Sequence, residues 1–129
     1  MSRLIEYAEA SPEARAVFDD IKTTRNVADV NNFWKALAVH PPTLRRTWES
    51  LKEVMAPGAL DPLTKELVYL AISASNGCDY CVASHGKAAE AKGMTQEMRG
   101  ELLAIVGMAN ETNRLVNGLR VPVDAAFED

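Results

Sequence analysis

Residues 61–85 read DPLTKELVYLAISASNGCDYCVASH and predict two helices joined by a tight turn. The Asp-Pro pair that opens this stretch combines a good N-cap with a proline suited to the first helical position. It therefore predicts a helix from Leu63 to about Ser75. Asn76-Gly77 follows, and this pair favours the left-handed turn geometry that ends a helix. A helix-turn-helix unit is thus expected at the centre of the chain.

The rest of the chain carries the same helical punctuation. No period-two alternation bounded by turn residues predicts a strand. Further helices are predicted over Pro12 to about Thr24, Asn31 or Asn32 to Val39, Pro42 or Thr43 to about Met55, Cys78 or Asp79 to Lys92, and Gln96 to about Met108, with Asn110 to Leu119 either continuing the last or forming a separate helix. We expect an all-α bundle of about six to seven helices, folded as one domain over residues 1–129.

Composition and charge exclude several classes of function. The net charge is -4, and lysines and arginines are scattered rather than gathered into a stripe, so no nucleic-acid partner is expected. The longest apolar stretches, around residues 67–74 and 102–109, are far shorter than the roughly 20 residues of a membrane span. The first six residues lack the apolar core of a signal peptide. We therefore expect a cytoplasmic protein without membrane contact.

Both cysteines of the chain lie in one C-x-x-C motif, Cys78 and Cys81. In a reducing compartment such a pair is more often catalytic or metal-binding than a structural disulfide. At about 100° per residue, the two cysteines and His85 fall on one face of their helix. Thiolate is favoured by the helix N-terminus at Cys78 and by the imidazole four residues from Cys81. We predict that Cys81 attacks first, because its proton has a local acceptor, and that Cys78 resolves the intermediate.

Glu66 is the next candidate site residue. It lies at the edge of the apolar stripe of its helix, where a carboxylate is costly unless it has a partner. If the two helices run antiparallel about Asn76-Gly77, Glu66 comes within about two residues of His85 and level with Lys87. Two readings stay open at this point. Glu66 either orients His85, directly or through water, or forms a salt bridge with Lys87.

The cysteine cluster is also compatible with functions other than redox catalysis. A structural zinc site is disfavoured because Cys78, Cys81 and His85 lack a fourth ligand. Haem attachment would need a histidine directly after the second cysteine, where Val82 stands. We therefore predict no metal and no cofactor, although a non-enzymatic helical or zinc-binding module remains an alternative. The two tryptophans, at positions 34 and 48, are expected in the core or in a subunit contact rather than in a ligand cage.

The motif formed by Glu66, Cys78-Asp79-Tyr80-Cys81 and His85 resembles the alkylhydroperoxidase AhpD-like, carboxymuconolactone decarboxylase superfamily. The resemblance extends over residues 63–85, and the Asn-Asn-Phe-Trp and Pro-Pro-Thr-Leu segments are similar to its peroxidase-related branch. It implies an AhpD-like helical bundle, with the C-x-x-C at the start of a core helix, that assembles into homo-oligomers, either trimers or hexamers. One departure is Tyr80, which stands where the well-studied peroxidases have a histidine.

The same resemblance implies a thiol-dependent alkyl hydroperoxidase or disulfide oxidoreductase. In it Cys81 would attack a small-molecule hydroperoxide, Cys78 would form the disulfide, and Glu66 and His85 would relay protons. The disulfide would be reduced by a dithiol protein, lipoyl-bearing or thioredoxin-like. The alternative activity of the superfamily is decarboxylation of a lactone, and the branch that performs it generally lacks the dithiol.

Overall fold

The computed structural model describes residues 2–128 of the chain, and over that range it contains α-helices, one short 3₁₀-helix and no β-strand. The all-α class and the number of helices are therefore confirmed. The helices are α1 (Pro12–Arg25), α2 (Asn32–Leu37), α3 (Pro41–Met55), α4 (Pro62–Ser75), α5 (Asp79–Ala91) and α6 (Gln96–Leu119), followed by a 3₁₀-helix at Ala125–Phe127.

Most helix boundaries lie within two residues of their predicted positions. The segment from Asn110 to Leu119 continues α6 without a break, so the alternative of a separate last helix is wrong. The third helix begins at Pro41, one residue before the predicted start, with His40 as its N-cap. The fixed backbone angle of proline suits the first helical position, so Pro41 starts the helix as well as Pro42 would.

The chain forms two compact units, and the first extends to Ala56. Helices α1, α2 and α3 enclose an aromatic core in this unit. Trp34 and Trp48 are both buried and meet edge to face, with ring centroids 5.5 Å apart. The predicted core position of the two tryptophans is thus confirmed. The other large buried side chains of this core are Phe18, Ile21 and Leu44.

The second unit begins at Pro57 and contains α4, α5 and α6. Its core is small: Leu70, Ala89 and Met94 are buried. The side chains packed against them are Leu63, Leu67, Val82, Met98 and Leu102. Helix α5 follows α4 after only three residues and packs along it, with α6 against α4. The single domain predicted for the whole chain stays a prediction.

The turn between α4 and α5 has the geometry that the Asn-Gly pair predicted. Gly77 has a φ of 69°, in the left-handed region that favours glycine. Its N–H donates to Ala74 O, and the N–H of Cys78 donates to Ser73 O, which is the Schellman pattern of a helix C-terminus. Cys78 is also the N-cap of α5, which begins at Asp79.

None of the helices within residues 2–128 has the length and apolar character needed to cross a membrane.

Replacing Leu44 by alanine should lower the free energy of unfolding by about 2–5 kcal/mol, because its fully buried side chain leaves a cavity. Leu60→Ala removes the same atoms from a side chain that is 51% exposed. This control should cost less than about 1 kcal/mol. Urea unfolding followed by circular dichroism measures both variants, and equal losses would contradict the core assignment.

Candidate active site

The candidate site is built around Glu66, whose side chain is only 8% exposed in the middle of α4. Both carboxylate oxygens have partners on α5. His85 Nδ1 lies 2.8 Å from Oε2, and Lys92 Nζ donates to Oε1 at 3.0 Å. Since α5 turns back along α4, residues near its middle and its end both face the same carboxylate. Glu66 is therefore buried with its charge and its hydrogen bonds satisfied.

The ionisation of Glu66 fixes the proton on the imidazole. Burial raises the pKa of Glu66, but the hydrogen bonds from His85 and Lys92, together with their charges, outweigh it, so the net pKa lies below its ordinary value. An ionised carboxylate only accepts hydrogen bonds. His85 Nδ1 must then carry the hydrogen, and in the neutral ring Nε2 keeps its lone pair. The Glu66 contact thus prepares His85 to accept a proton at Nε2.

Tyr69 covers one face of this imidazole. Its ring is stacked on His85 with centroids 3.6 Å apart and planes inclined by 20°. Burial raises the pKa of Tyr69, and negative charge on Cys81, Cys78 and Glu66 raises it further. The phenol therefore lies in the electrostatic field of both the dithiol and the carboxylate.

The two thiols occupy different positions at the start of α5. Both are free and partly buried. Cys78 caps the helix, and its Sγ accepts a hydrogen bond from the backbone N–H of Cys81 at 3.3 Å. The pKa of the Cys81 thiol is raised by its hydrogen bond with Cys78, by burial and by negative charge on Cys78. Cys81 therefore needs a base to become a thiolate.

Glu66 meets His85 directly, which is the first of the two readings left open by the sequence. The alternative salt bridge with Lys87 is wrong, because that lysine is 86% exposed and pairs with Glu90 instead. The spacing along the two helices placed Glu66 level with Lys87. The lysine that contacts Glu66 is instead Lys92, whose long side chain reaches back from the end of α5. The catalytic roles predicted for Cys78, Cys81, His85 and Glu66 stay predictions.

Sequence reasoning missed Tyr69 and Lys92. Tyr69 follows Glu66 by three residues, a spacing that puts both on one helix face. Lys92 follows His85 by seven residues, two turns further along α5, and so shares its face. Both signals were present as spacing, but a tyrosine and a terminal lysine carry no motif of their own.

Among the described residues, no group of three or more histidine, cysteine, aspartate or glutamate side chains is arranged to hold a metal ion. The glutamate and histidine of the site are already bonded to each other.

The fold and these contacts define an all-helical protein with a cysteine pair at a helix start and a buried glutamate–histidine pair beside it. The sequence model of the Carboxymuconolactone decarboxylase family matches residues 41–124. The chain therefore belongs to this family, within the AhpD-like superfamily that the motif predicted.

Similar proteins agree with this assignment. The crystal structure of the alkylhydroperoxidase AhpD core from Rhodospirillum rubrum is 53% identical, with a TM-score of 0.93 over 98% of this chain and 96% of that one. Alkyl hydroperoxide reductase AhpD from Solibacter usitatus is 31% identical over 80% of this chain, which spans 58% of its length. An uncharacterized protein of Cupriavidus necator is 31% identical over 67% of this chain and 75% of its own length.

Replacing Glu66 by glutamine should reduce the free energy of unfolding by about 2 kcal/mol near neutral pH, since two hydrogen bonds to the charged carboxylate are weakened. Because the folded-state pKa of Glu66 is depressed, this stabilisation is present above the ordinary value of 4.5 and is lost as the pH falls through the folded-state value. The difference between the two proteins should therefore shrink in acid.

Urea unfolding at about pH 7 and about pH 3.5 measures the effect. Glu101→Gln changes an exposed carboxylate in α6 and serves as the control. A loss in Glu66→Gln that is independent of pH would contradict the charged pairing.

Proposed function

We propose that this protein is a thiol-dependent peroxidase that reduces small-molecule hydroperoxides, with Cys81 as the attacking thiol, Cys78 as the resolving thiol, and Glu66 and His85 as a proton relay. The observation that carries the proposal is the 2.8 Å contact between Glu66 and His85. His85 lies on α5, the helix that begins at the C-x-x-C. The names of the Rhodospirillum and Solibacter relatives support the same class of reaction.

In the first step His85 Nε2 takes the proton of the Cys81 thiol. The raised pKa of Cys81 makes this base necessary, and the four-residue spacing puts it on the same helix face. The thiolate then attacks one oxygen of the hydroperoxide, and the O–O bond breaks. Cys81 becomes a sulfenic acid, and the alcohol leaves with the proton returned by the imidazolium. Sulfur is oxidised by two electrons and the peroxide is reduced by two.

In the second step Cys78 attacks the sulfenic sulfur, a disulfide forms, and the hydroxyl leaves as water with the proton given up by the Cys78 thiol. Its Sγ lies 3.3 Å from the backbone nitrogen of Cys81, so the two residues adjoin. A dithiol protein, lipoyl-bearing or thioredoxin-like, then reduces the disulfide by thiol–disulfide exchange and becomes oxidised itself. We place this cycle in the cytoplasm, where such reductants keep thiols reduced.

Cys81→Ser should abolish hydroperoxide turnover with a dithiol reductant, because the attacking sulfur is lost. Cys78→Ser should still react once and accumulate a sulfenic acid on Cys81. Trapping with a sulfenic-acid reagent and mass spectrometry measures this, and the chain has no other cysteine to confuse the result. Full turnover by Cys81→Ser would sink the proposal.

The family name gives one alternative activity, lactone decarboxylation. Carbon dioxide released from a carboxylated lactone by a Cys78→Ala/Cys81→Ala double variant would support decarboxylation, since that reaction does not require the dithiol. Loss of all activity in the double variant would favour the peroxidase.

We also propose that the chain assembles into a homo-oligomer, a trimer or a hexamer. Helix α6 supports this, because none of its residues from Gln96 to Leu119 is buried although it carries many apolar side chains. Ile105, Met108, Leu115 and Leu119 recur at helical spacing and are all more than half exposed. An exposed row of apolar side chains along one helix is typical of a subunit interface.

Placing charge on this row should dissociate the oligomer. Met108→Glu/Leu115→Glu should shift the mass in solution to that of one chain, whereas Asn117→Glu adds charge to another face of α6 and should leave the assembly intact. Light scattering coupled to size-exclusion chromatography gives the mass. A wild-type protein that is already monomeric would contradict the proposal.

A further inference from the structure

Lys92 donates a hydrogen bond to Oε1 of Glu66, the carboxylate oxygen that does not contact His85. A carboxylate has two oxygens, and each is paired here: Oε2 with the imidazole and Oε1 with the ammonium of Lys92 at 3.0 Å. Glu66 is buried, whereas the Lys92 side chain is 38% exposed at the end of α5. The lysine therefore enters the site from the solvent side and reaches a carboxylate inside it.

The backbone of Lys92 is fixed by the end of its helix. Lys92 is the C-cap of α5, and Gly93 follows with a φ of 105°. Gly93 N–H donates to Glu90 O and Met94 N–H donates to Ala89 O, which repeats the Schellman pattern of the turn after α4. The side chain of Met94 is buried. These contacts anchor the residue that carries the ammonium.

The other charged groups around the pair are occupied differently. On α6, the guanidinium of Arg99 lies beside Gly86, where an added Cβ would be 3.2 Å from Nη1, and it pairs with Glu90 at 3.7 Å. On α4, Tyr69 offers a ring face to His85. On α5, the two thiols lie at the far end of the helix from Lys92. Of these charged groups, Lys92 is the one that forms an ion pair with Glu66.

We propose that Lys92 is a positioning residue of the proton relay: by bonding Oε1 it keeps Glu66 an ionised acceptor in a fixed orientation, so that His85 holds its hydrogen on Nδ1 and offers Nε2 to Cys81. The inference rests on the proposed function for its catalytic consequence. Its structural consequence, the tautomer of His85, is independent of any substrate.

The reason lies in the chemistry of a buried carboxyl group. Burial disfavours the charge on Glu66, and without Lys92 only His85 remains to oppose that effect. A protonated carboxyl group can donate to Nδ1 instead of accepting from it. His85 would then carry its hydrogen on Nε2 and could no longer take a proton from a thiol there. Lys92 prevents this exchange of roles.

The experiment is nitrogen-15 nuclear magnetic resonance of the imidazole rings in the reduced protein near neutral pH. The chain has two histidines, and a His40→Gln variant assigns them. Lys92→Met and Lys92→Gln remove the charge, Lys92→Arg keeps it, and Lys87→Met removes an exposed charge from the same helix as the control. Circular dichroism melts verify that each variant is folded.

We expect Nδ1 of His85 to carry the hydrogen in the wild-type protein, in Lys92→Arg and in Lys87→Met, and the Nε2-protonated form to become populated in both neutral Lys92 variants. Their kcat/KM for hydroperoxide should fall on the order of tenfold, as for other residues that orient a working group. An unchanged tautomer in the neutral variants would overturn the proposal, as would the same change in Lys87→Met.

The two proposals fail separately. If the wild-type protein does not turn over hydroperoxides, the peroxidase assignment fails, and the tautomer of His85 still decides the role of Lys92. If turnover is normal in the neutral variants and the tautomer is unchanged, the positioning role alone is wrong.

Discussion

A carboxylate removed from water must find donors within the protein, and in the second unit of this structure that carboxylate is Glu66. Burial without partners would cost several kcal/mol or neutralise the group. Helix α5 supplies the donors through His85 and Lys92, one for each oxygen. This requirement fixes which face of α5 meets α4. The position of the cysteines at the other end of α5 follows from it, because all of them share one rigid helix.

The register between α4 and α5 depends on a very short connection. Gly77 closes α4 in the left-handed region, and Cys78 both completes that closure and caps α5. The connection therefore contains no extra residue that would let the two helices shift relative to each other. A residue with a side chain at Gly77 would be strained, and any change there would move the cysteines and the imidazole relative to Glu66 together. The turn is therefore part of the site as much as part of the fold.

The two cysteines differ because of where α5 begins. The thiol of Cys78 caps the helix, and its sulfur accepts a hydrogen bond from the backbone N–H of Cys81. The second thiol has a raised pKa, since its proton is held by Cys78 and its surroundings are partly buried. In the proposed cycle this difference makes the base essential at the attacking sulfur.

The sequence by itself determined the helices, because caps, prolines, glycines and apolar spacing act within a few residues of each other. Ser11, Asp61 and Thr95 all cap the helices that their neighbours predicted. The dithiol, His85 and Glu66 could be singled out for the same reason, as could the family to which the chain belongs. Whether α6 was one helix or two could not be decided, since Gly107 and Asn110 are poor helix formers but do not by themselves end a helix.

Only the tertiary structure decided which partner Glu66 takes. Spacing along two helices gave the level at which they meet to within a turn, and both His85 and Lys87 lay within that range. The choice of Lys92 depends on the reach of a long side chain from a helix end, and the stacking of Tyr69 depends on the rotation of α4 against α5. Such details are set by packing between elements, which local sequence patterns do not encode.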